Sequence, residues 1–201
     1  MTKRKWRLPL PLLLVIIVLL LAVWGPLSAC RSVHPARKPI GEAFPKVTGT
    51  SLAGAEVELP PLGRPSVLLI GYEQNAQFDA DRWLVGLLQV PLDASILEVP
   101  TLPGLFAGAA SGFIDSGMRS GIPSEDWSSV VTVYGAAAEQ ITRFTGSEKT
   151  RNMRVLALDS DGRVRWMHDR GFSASKLLEL AELVRSMERP RGDIQADQPA
   201  F

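Results

Sequence analysis

Ser66-Val67-Leu68-Leu69-Ile70-Gly71-Tyr72 is an unbroken apolar run of strand length that follows Pro65. A run with no polar alternation suits a strand covered on both faces, in the middle of a sheet. The next residues, Glu73-Gln74-Asn75-Ala76-Gln77-Phe78, are mostly polar. Asp79 or Asp81 can then cap a helix that runs to about Leu88. In that helix Trp83 and Leu87, and Leu84 and Leu88, are four apart and share a face. A buried strand feeding straight into a helix begins an α/β arrangement.

Outward from this unit the pattern repeats. Ser95-Ile96-Leu97-Glu98-Val99 reads as a second strand, closed by Pro100 and Pro103. Leu105–Met118 is rich in Ala, Gly and Phe and reads as a helix that its glycines weaken. Ser129–Tyr134 is a third strand, and Ala136–Phe144 a short helix ended by Gly146. Arg154–Asp159 and Arg163–His168 flank Ser160-Asp161-Gly162. Apolar runs on both sides of Asp-Gly predict a hairpin. A last helix is expected from Ser173 to Met187. It would bury Leu177, Leu180, Ala181 and Val184 and turn Glu179, Glu182 and Arg185 to solvent. Strands alternating with helices predict an α/β sandwich with a mixed sheet. Its early strands would be parallel and its closing hairpin antiparallel.

The N-terminal end has a different character. Lys3, Arg4, Lys5 and Arg7 precede Leu8–Ala29, 22 residues without a charge. Pro9, Pro11 and Pro26 confine unbroken helix to Leu12–Gly25, 14 residues. That is the length of a secretory-signal centre, while the whole stretch is long enough to span a bilayer. Leu27-Ser28-Ala29-Cys30 closes it with the only cysteine of the chain. This order resembles a bacterial lipoprotein signal peptide, whose lipobox ends in the cysteine that is lipidated. The resemblance implies cleavage before Cys30 and lipid on Cys30; an uncleaved anchor is the alternative. Either way the positive start stays inside, and the remainder is expected in the bacterial envelope, membrane-anchored and facing the periplasm or exterior.

The expected organisation is a signal or anchor over 1–29, a tether over 30–43, one α/β domain over 44–188 and a disordered tail over 189–201. Four of the 22 basic residues and none of the 21 acidic ones fall in 1–29, so the exported part carries a net charge of −3. Nothing in it suggests nucleic acid, whose binders show a basic patch or stripe. A single cysteine excludes an internal disulfide. With His34 and His168 as the only histidines, no zinc or copper site and no other cofactor is expected.

The element order resembles a thioredoxin fold. Three stretches are also similar to the family of mitochondrial ATP synthase assembly factor 10 and its bacterial relatives. They are Phe44–Gly54, the strand and helix over Val67–Trp83 with its Gln77…Trp83 spacing, and the hairpin Val155–Trp166, where a basic residue precedes tryptophan. The likeness spans about residues 44–187 and implies an assembly or interaction role. Its departures bear directly on chemistry. A catalytic thioredoxin places Cys-x-x-Cys where the first helix begins, so that the helix N-terminus lowers a thiol pKa. Here that position reads Glu73-Gln74-Asn75-Ala76-Gln77-Phe78. The segment where the fold carries a cis-proline reads Thr150-Arg151-Asn152-Met153, without proline.

Other constellations reduce to structure. Asp79 and Asp81 at a helix start cap more readily than they catalyse, and Asp159 and Asp161 are turn residues. No Ser/His/Asp set, phosphate loop or dinucleotide glycine pattern is present. The remaining candidates for a partner surface are Tyr72, Gln74, Gln77 and Arg119, with Arg119 in the glycine-rich segment Gly112–Pro123. The expected function is a non-catalytic, membrane-tethered interaction module with a protein partner. The alternative is a cysteine-independent enzyme using the same face.

Overall fold

In the computed structural model, which describes residues 33–104 and 107–188, the Ser66–Gly71 run is the third strand of seven among the described residues. The strands are β1 (Val47–Ser51), β2 (Glu56–Leu59), β3 (Ser66–Gly71), β4 (Ser95–Leu102), β5 (Val131–Tyr134), β6 (Arg154–Leu158) and β7 (Val164–His168). Four helices are α1 (Gln77–Leu87), α2 (Ser111–Gly121), α3 (Gly135–Thr145) and α4 (Ala174–Glu188). The Cys30 lipobox, the 1–29 segment and the 189–201 tail lie outside the described residues.

The strands form one sheet in the order β2-β1-β5-β4-β3-β6-β7. β3, β4 and β5 are mutually parallel, while β6 runs antiparallel to β3 and to β7. β3 has neighbours on both sides, and Ser66 through Ile70 are all buried. Its side chains alternate between two cores, as the pleat requires. Leu68 and Ile70 face α3 through Ala138, Ile141 and Phe144. Val67 and Leu69 face α1 and α4 through Trp83, Leu87, Leu177, Leu180 and Val184. Trp83 is completely buried and meets Phe172 and Trp166 edge-on, at 5.4 and 6.3 Å between ring centres. α1 and α4 approach closely at Gly86, where an added Cβ would lie 2.8 Å from the Leu177 side chain.

Four expectations are corrected. The first is an omission. β1 and β2 form an antiparallel hairpin, Val47 opposite Leu59, in a stretch where the sequence reading places no strand. The alternation of β1 (buried at Val47, Gly49 and Ser51) is the ordinary signature of a half-covered strand. Second, β4 continues through Pro100 to Leu102, because Pro100 sits opposite Gly71 at the last rung with β3 and one missing donor there costs little. Third, the weak helix begins at Ser111; residues 107–110 form turns before it, and Leu105 and Phe106 lie outside the described residues.

Fourth, the 30–43 tether is no loose linker from residue 33 onward. His34 bonds Glu139 on α3 at 2.7 Å, and its backbone N–H donates to Ser147. Arg37 N–H donates to Thr145 O, and Gly41 N–H to Val164 O. Pro35 lies so close to Gly146 (φ 77°) that an added Cβ would sit 2.3 Å from the Pro35 carbonyl oxygen. The composition looked like a linker, but its backbone groups find partners along the domain edge.

Candidate functional site

The C-terminal ends of the parallel strands of an α/β sheet are where such folds bind ligands. Here that edge is formed by the turn after β3, the start of α1, the loop 146–153 before β6, and α2. Two buried polar groups hold it together. Asp79, 6% exposed, does not cap its own helix: the position before α1 is Ala76, which makes no side-chain cap. Its carboxylate instead accepts the backbone N–H of Met153 at 3.0 Å and of Phe172 at 2.6 Å. One side chain thus ties α1 to the loop before β6 and to the approach to α4. The expectation of a cap is overturned because these two amides are better placed for the carboxylate.

Arg154, 1% exposed, is the second. Its guanidinium donates to the carbonyls of Glu148, Lys149 and Asn152 and lies 5.1 Å from the centre of the Tyr72 ring. Burial lowers its pKa from the ordinary arginine value. Loop 146–153 is therefore wrapped around a cation. Lys149 adopts the left-handed conformation (φ 56°) while offering its carbonyl to that cation.

Tyr72 does not belong to a surface. It is 6% exposed, and its hydroxyl donates to Ile141 O and pairs with Thr145 Oγ1 at 2.5 Å. Burial pushes its pKa up to about 12. As a partner-binding residue it is corrected to a core residue, because its ring packs in the core against Arg154 and its hydroxyl is held by α3. Gln74, in the 3-10 turn just before α1, and Gln77, the first residue of α1, are exposed, and Phe78 is 73% exposed. Arg119 is engaged elsewhere. Its Nε donates to Leu52 O at 2.7 Å, and its guanidinium lies 5.7 Å from the Trp127 ring centre. It latches α2 to the end of β1 and is not free to meet a partner with the glutamines.

Sequence reasoning missed Glu98. On β4 it is 6% exposed, within reach of Asp81 and hydrogen bonded by Gln77, which also donates to Asp81 Oδ1 at 3.1 Å. Burial, reinforced by the Asp81 charge, pushes the Glu98 carboxyl up to about 7. Such a group exchanges its proton near neutrality. The signal was a single glutamate inside the apolar run Ser95–Val99. No cluster of three or more metal-ligating side chains occurs among the described residues.

No protein-family model matches this chain, and no curated protein does. Solved structures do. An Aquifex aeolicus protein assigned to electron transfer is 13% identical, with a TM-score of 0.52 over 79% of this chain and 99% of that one. A SCO1/SenC family lipoprotein of Bacillus anthracis is 14% identical, with a TM-score of 0.50 over 77% of this chain and all of that one. The exposed lipoprotein thioredoxin of Streptococcus pneumoniae is 10% identical, with a TM-score of 0.50 over 69% of this chain and 99% of that one. The fold is thioredoxin-like. At these identities the likeness carries the fold and nothing of the chemistry. This thioredoxin-like domain holds no cysteine after residue 30, so dithiol exchange within it is excluded by composition. Where the fold can carry thiols, it presents Glu73–Phe78.

Proposed function

We propose that this chain is a membrane-tethered, thiol-free thioredoxin-like protein of a bacterial envelope that works as an interaction or assembly module. One observation carries the reading. The polar groups at the vacated redox position are committed to internal bonds, Asp79 to two backbone amides and Arg154 to three carbonyls. What remains outward there is Gln74 and Phe78, with Gln77 exposed but bonded to Asp81: an amide beside an exposed aromatic ring, a combination suited to a peptide or protein surface. The likeness of Phe44–Gly54, Val67–Trp83 and Val155–Trp166 to the assembly-factor family supports the same role. So do the names of two similar structures, both lipoproteins. Lipid on Cys30 supplies the tether. A single acyl chain binds a membrane only marginally, so stable anchoring needs more than one.

The test has two parts. The intact mass of the membrane-purified chain is compared with its Cys30→Ser form. Loss of residues 1–29 with added acyl mass, and an unprocessed variant, is the expected result; an intact N-terminus in both overturns the lipoprotein reading. A photo-crosslinking amino acid at Gln74 or Phe78 should then give one discrete adduct in membranes, absent when it stands at Glu182 on the outer face of α4. Identical adduct patterns at all three positions would remove the interaction surface.

A second reading has its own observation. Glu98, buried with a pKa near 7 beneath Gln77 and Asp81, has the protonation behaviour of a general acid or base. A cysteine-independent enzyme would use it. An activity abolished by Glu98→Gln with the fold intact would favour this reading over the first.

A further inference from the structure

α2 keeps its charges inward beside the partly covered Ile114 and Met118, and leaves one aromatic ring outside. A surface helix ordinarily turns apolar residues inward and charges outward. The two charged residues of α2 both point at the protein. Asp115, 8% exposed, accepts the Tyr134 hydroxyl at 2.6 Å, and Arg119 holds Leu52 O and Trp127. The outward side is Gly112, Phe113, Ser116, Gly117, Ser120 and Gly121, with Phe113 87% exposed. An added Cβ at any of the three glycines would meet nothing within 4 Å, so they serve no close packing inside this domain. Each of the other helices exposes charge: Asp81 and Arg82 on α1, Arg143 on α3, Glu182 and Arg185 on α4. In the sequence no charge falls between Glu98 and Asp115.

A second observation says what could cover this face. His34, four residues after Cys30, is already fixed to Glu139 and Ser147. Four residues of extended chain reach at most about 14 Å. Lipid on Cys30 would therefore hold the domain against the bilayer on a short leash, where even a weak apolar contact forms at high effective concentration.

We infer that α2 lies on the bilayer surface, with Phe113 entering the boundary between headgroups and acyl chains and the charge-free glycine and serine face flat against the lipid. The inference rests on the reading of Cys30 as the lipidated residue. Eleven residues lie on a membrane rather than cross it, and among the described residues no helix is long and apolar enough to cross one. A lipid surface demands an apolar anchor and no matching charges; Phe113 is that anchor, on a face of small residues that carries no charge.

The test uses the mature acylated chain, in which lipid blocks Cys30 and an introduced cysteine is the only thiol. Phe113→Cys and Phe78→Cys variants are labelled with an environment-sensitive fluorophore. They are reconstituted into phosphatidylethanolamine–phosphatidylglycerol vesicles, with and without lipids carrying a quencher near the headgroup. Quenching several-fold stronger at 113 than at 78, unchanged as the protein is diluted in lipid, is the expected result. Equal quenching at the two positions overturns the inference. Protection of 113 that vanishes on dilution assigns the face to a second copy and also overturns it. A chain without acyl mass, whose own Cys30 takes up the label, overturns the tether reading itself and is recognised as such before any quenching is read.

Discussion

α1 and α2 have the same length and sit on the same thioredoxin-like sheet, yet they are held in opposite ways. α1 buries Ala80, Trp83 and Leu87 in a core and is clipped further by Asp79. α2 buries one residue, Asp115, and is hung on polar bonds to Tyr134 and Leu52. The hydroxyl of Tyr134 is held protonated by its burial and, next, by the Asp115 carboxylate, which raises its pKa. The difference teaches where the fold spends its apolar area. Around the start of α1 it builds a platform that joins apolar burial to buried polar bonds. At α2 it keeps a helix in place by directional bonds, with Ile114 and Met118 only partly covered and Phe113 left outside.

The comparison breaks most sharply at Asp79. In Asp79→Ala the amides of Met153 and Phe172 lose their acceptor in a buried setting. Each unsatisfied group costs about 1–3 kcal/mol, so a loss of about 4 kcal/mol in urea unfolding is expected. Asp79→Asn keeps one acceptor oxygen and should lose about half as much. A loss below about 1 kcal/mol for Asp79→Ala would mean that α1 is held by its apolar face alone.

Glu98 sharpens the comparison through pH. Its carboxyl titrates near 7 in the folded chain, above the ordinary 4.5, so folding favours its protonated form. The stability it contributes is full below about pH 4.5 and is lost as pH rises through 7. The upper limit of that loss is on the order of 3 kcal/mol. Glu98→Gln removes the titration. The variant should gain on the wild type between pH 5 and pH 8, and the gap should level off above that. A gap independent of pH would show that Glu98 stays charged in the fold.

Most of the platform was legible in the sequence, and the reasons are local. The Ser66–Tyr72 run, the Asp-Gly turn at 161–162 and the Leu177/Leu180/Ala181/Val184 stripe each announce one element through a single periodicity. Asp159 behaves as its turn chemistry predicts, accepting the N–H of Asp161 and Arg163. What stayed hidden depended on distant partners. The role of Asp79 is set by amides 74 and 93 residues away. Tyr72 looked like the rim of a site because it ends a strand, but Arg154 and Thr145 draw it into the core. The strap at 33–43 lacks any periodicity, since its partners are backbone groups of other segments. Arg119 looked free because the carbonyl it holds, on Leu52, leaves no trace in the pattern of side chains.

The smallest effect is expected at Arg119, and it isolates what holds α2. Arg119→Ala removes the hydrogen bond to Leu52 O and the contact with Trp127. The helix stands outside both cores, so global unfolding should shift by less than about 1 kcal/mol. Local opening is another matter. A segment with few buried apolar contacts opens at a free energy far below that of global unfolding. Losing one of its two polar latches should make the amides of 111–121 exchange several-fold faster, while those of α1 keep their rates. Tyr134→Phe removes the other latch and should do the same. If exchange in α1 rises together with α2, the two helices belong to one cooperative unit and the contrast drawn between them fails. If neither variant changes exchange in α2, the polar bonds are incidental. The three glycines, poor helix formers in a helix that solvent reaches on most sides, would then be held by contacts of Ile114 and Met118, the only apolar side chains of α2 that are partly covered.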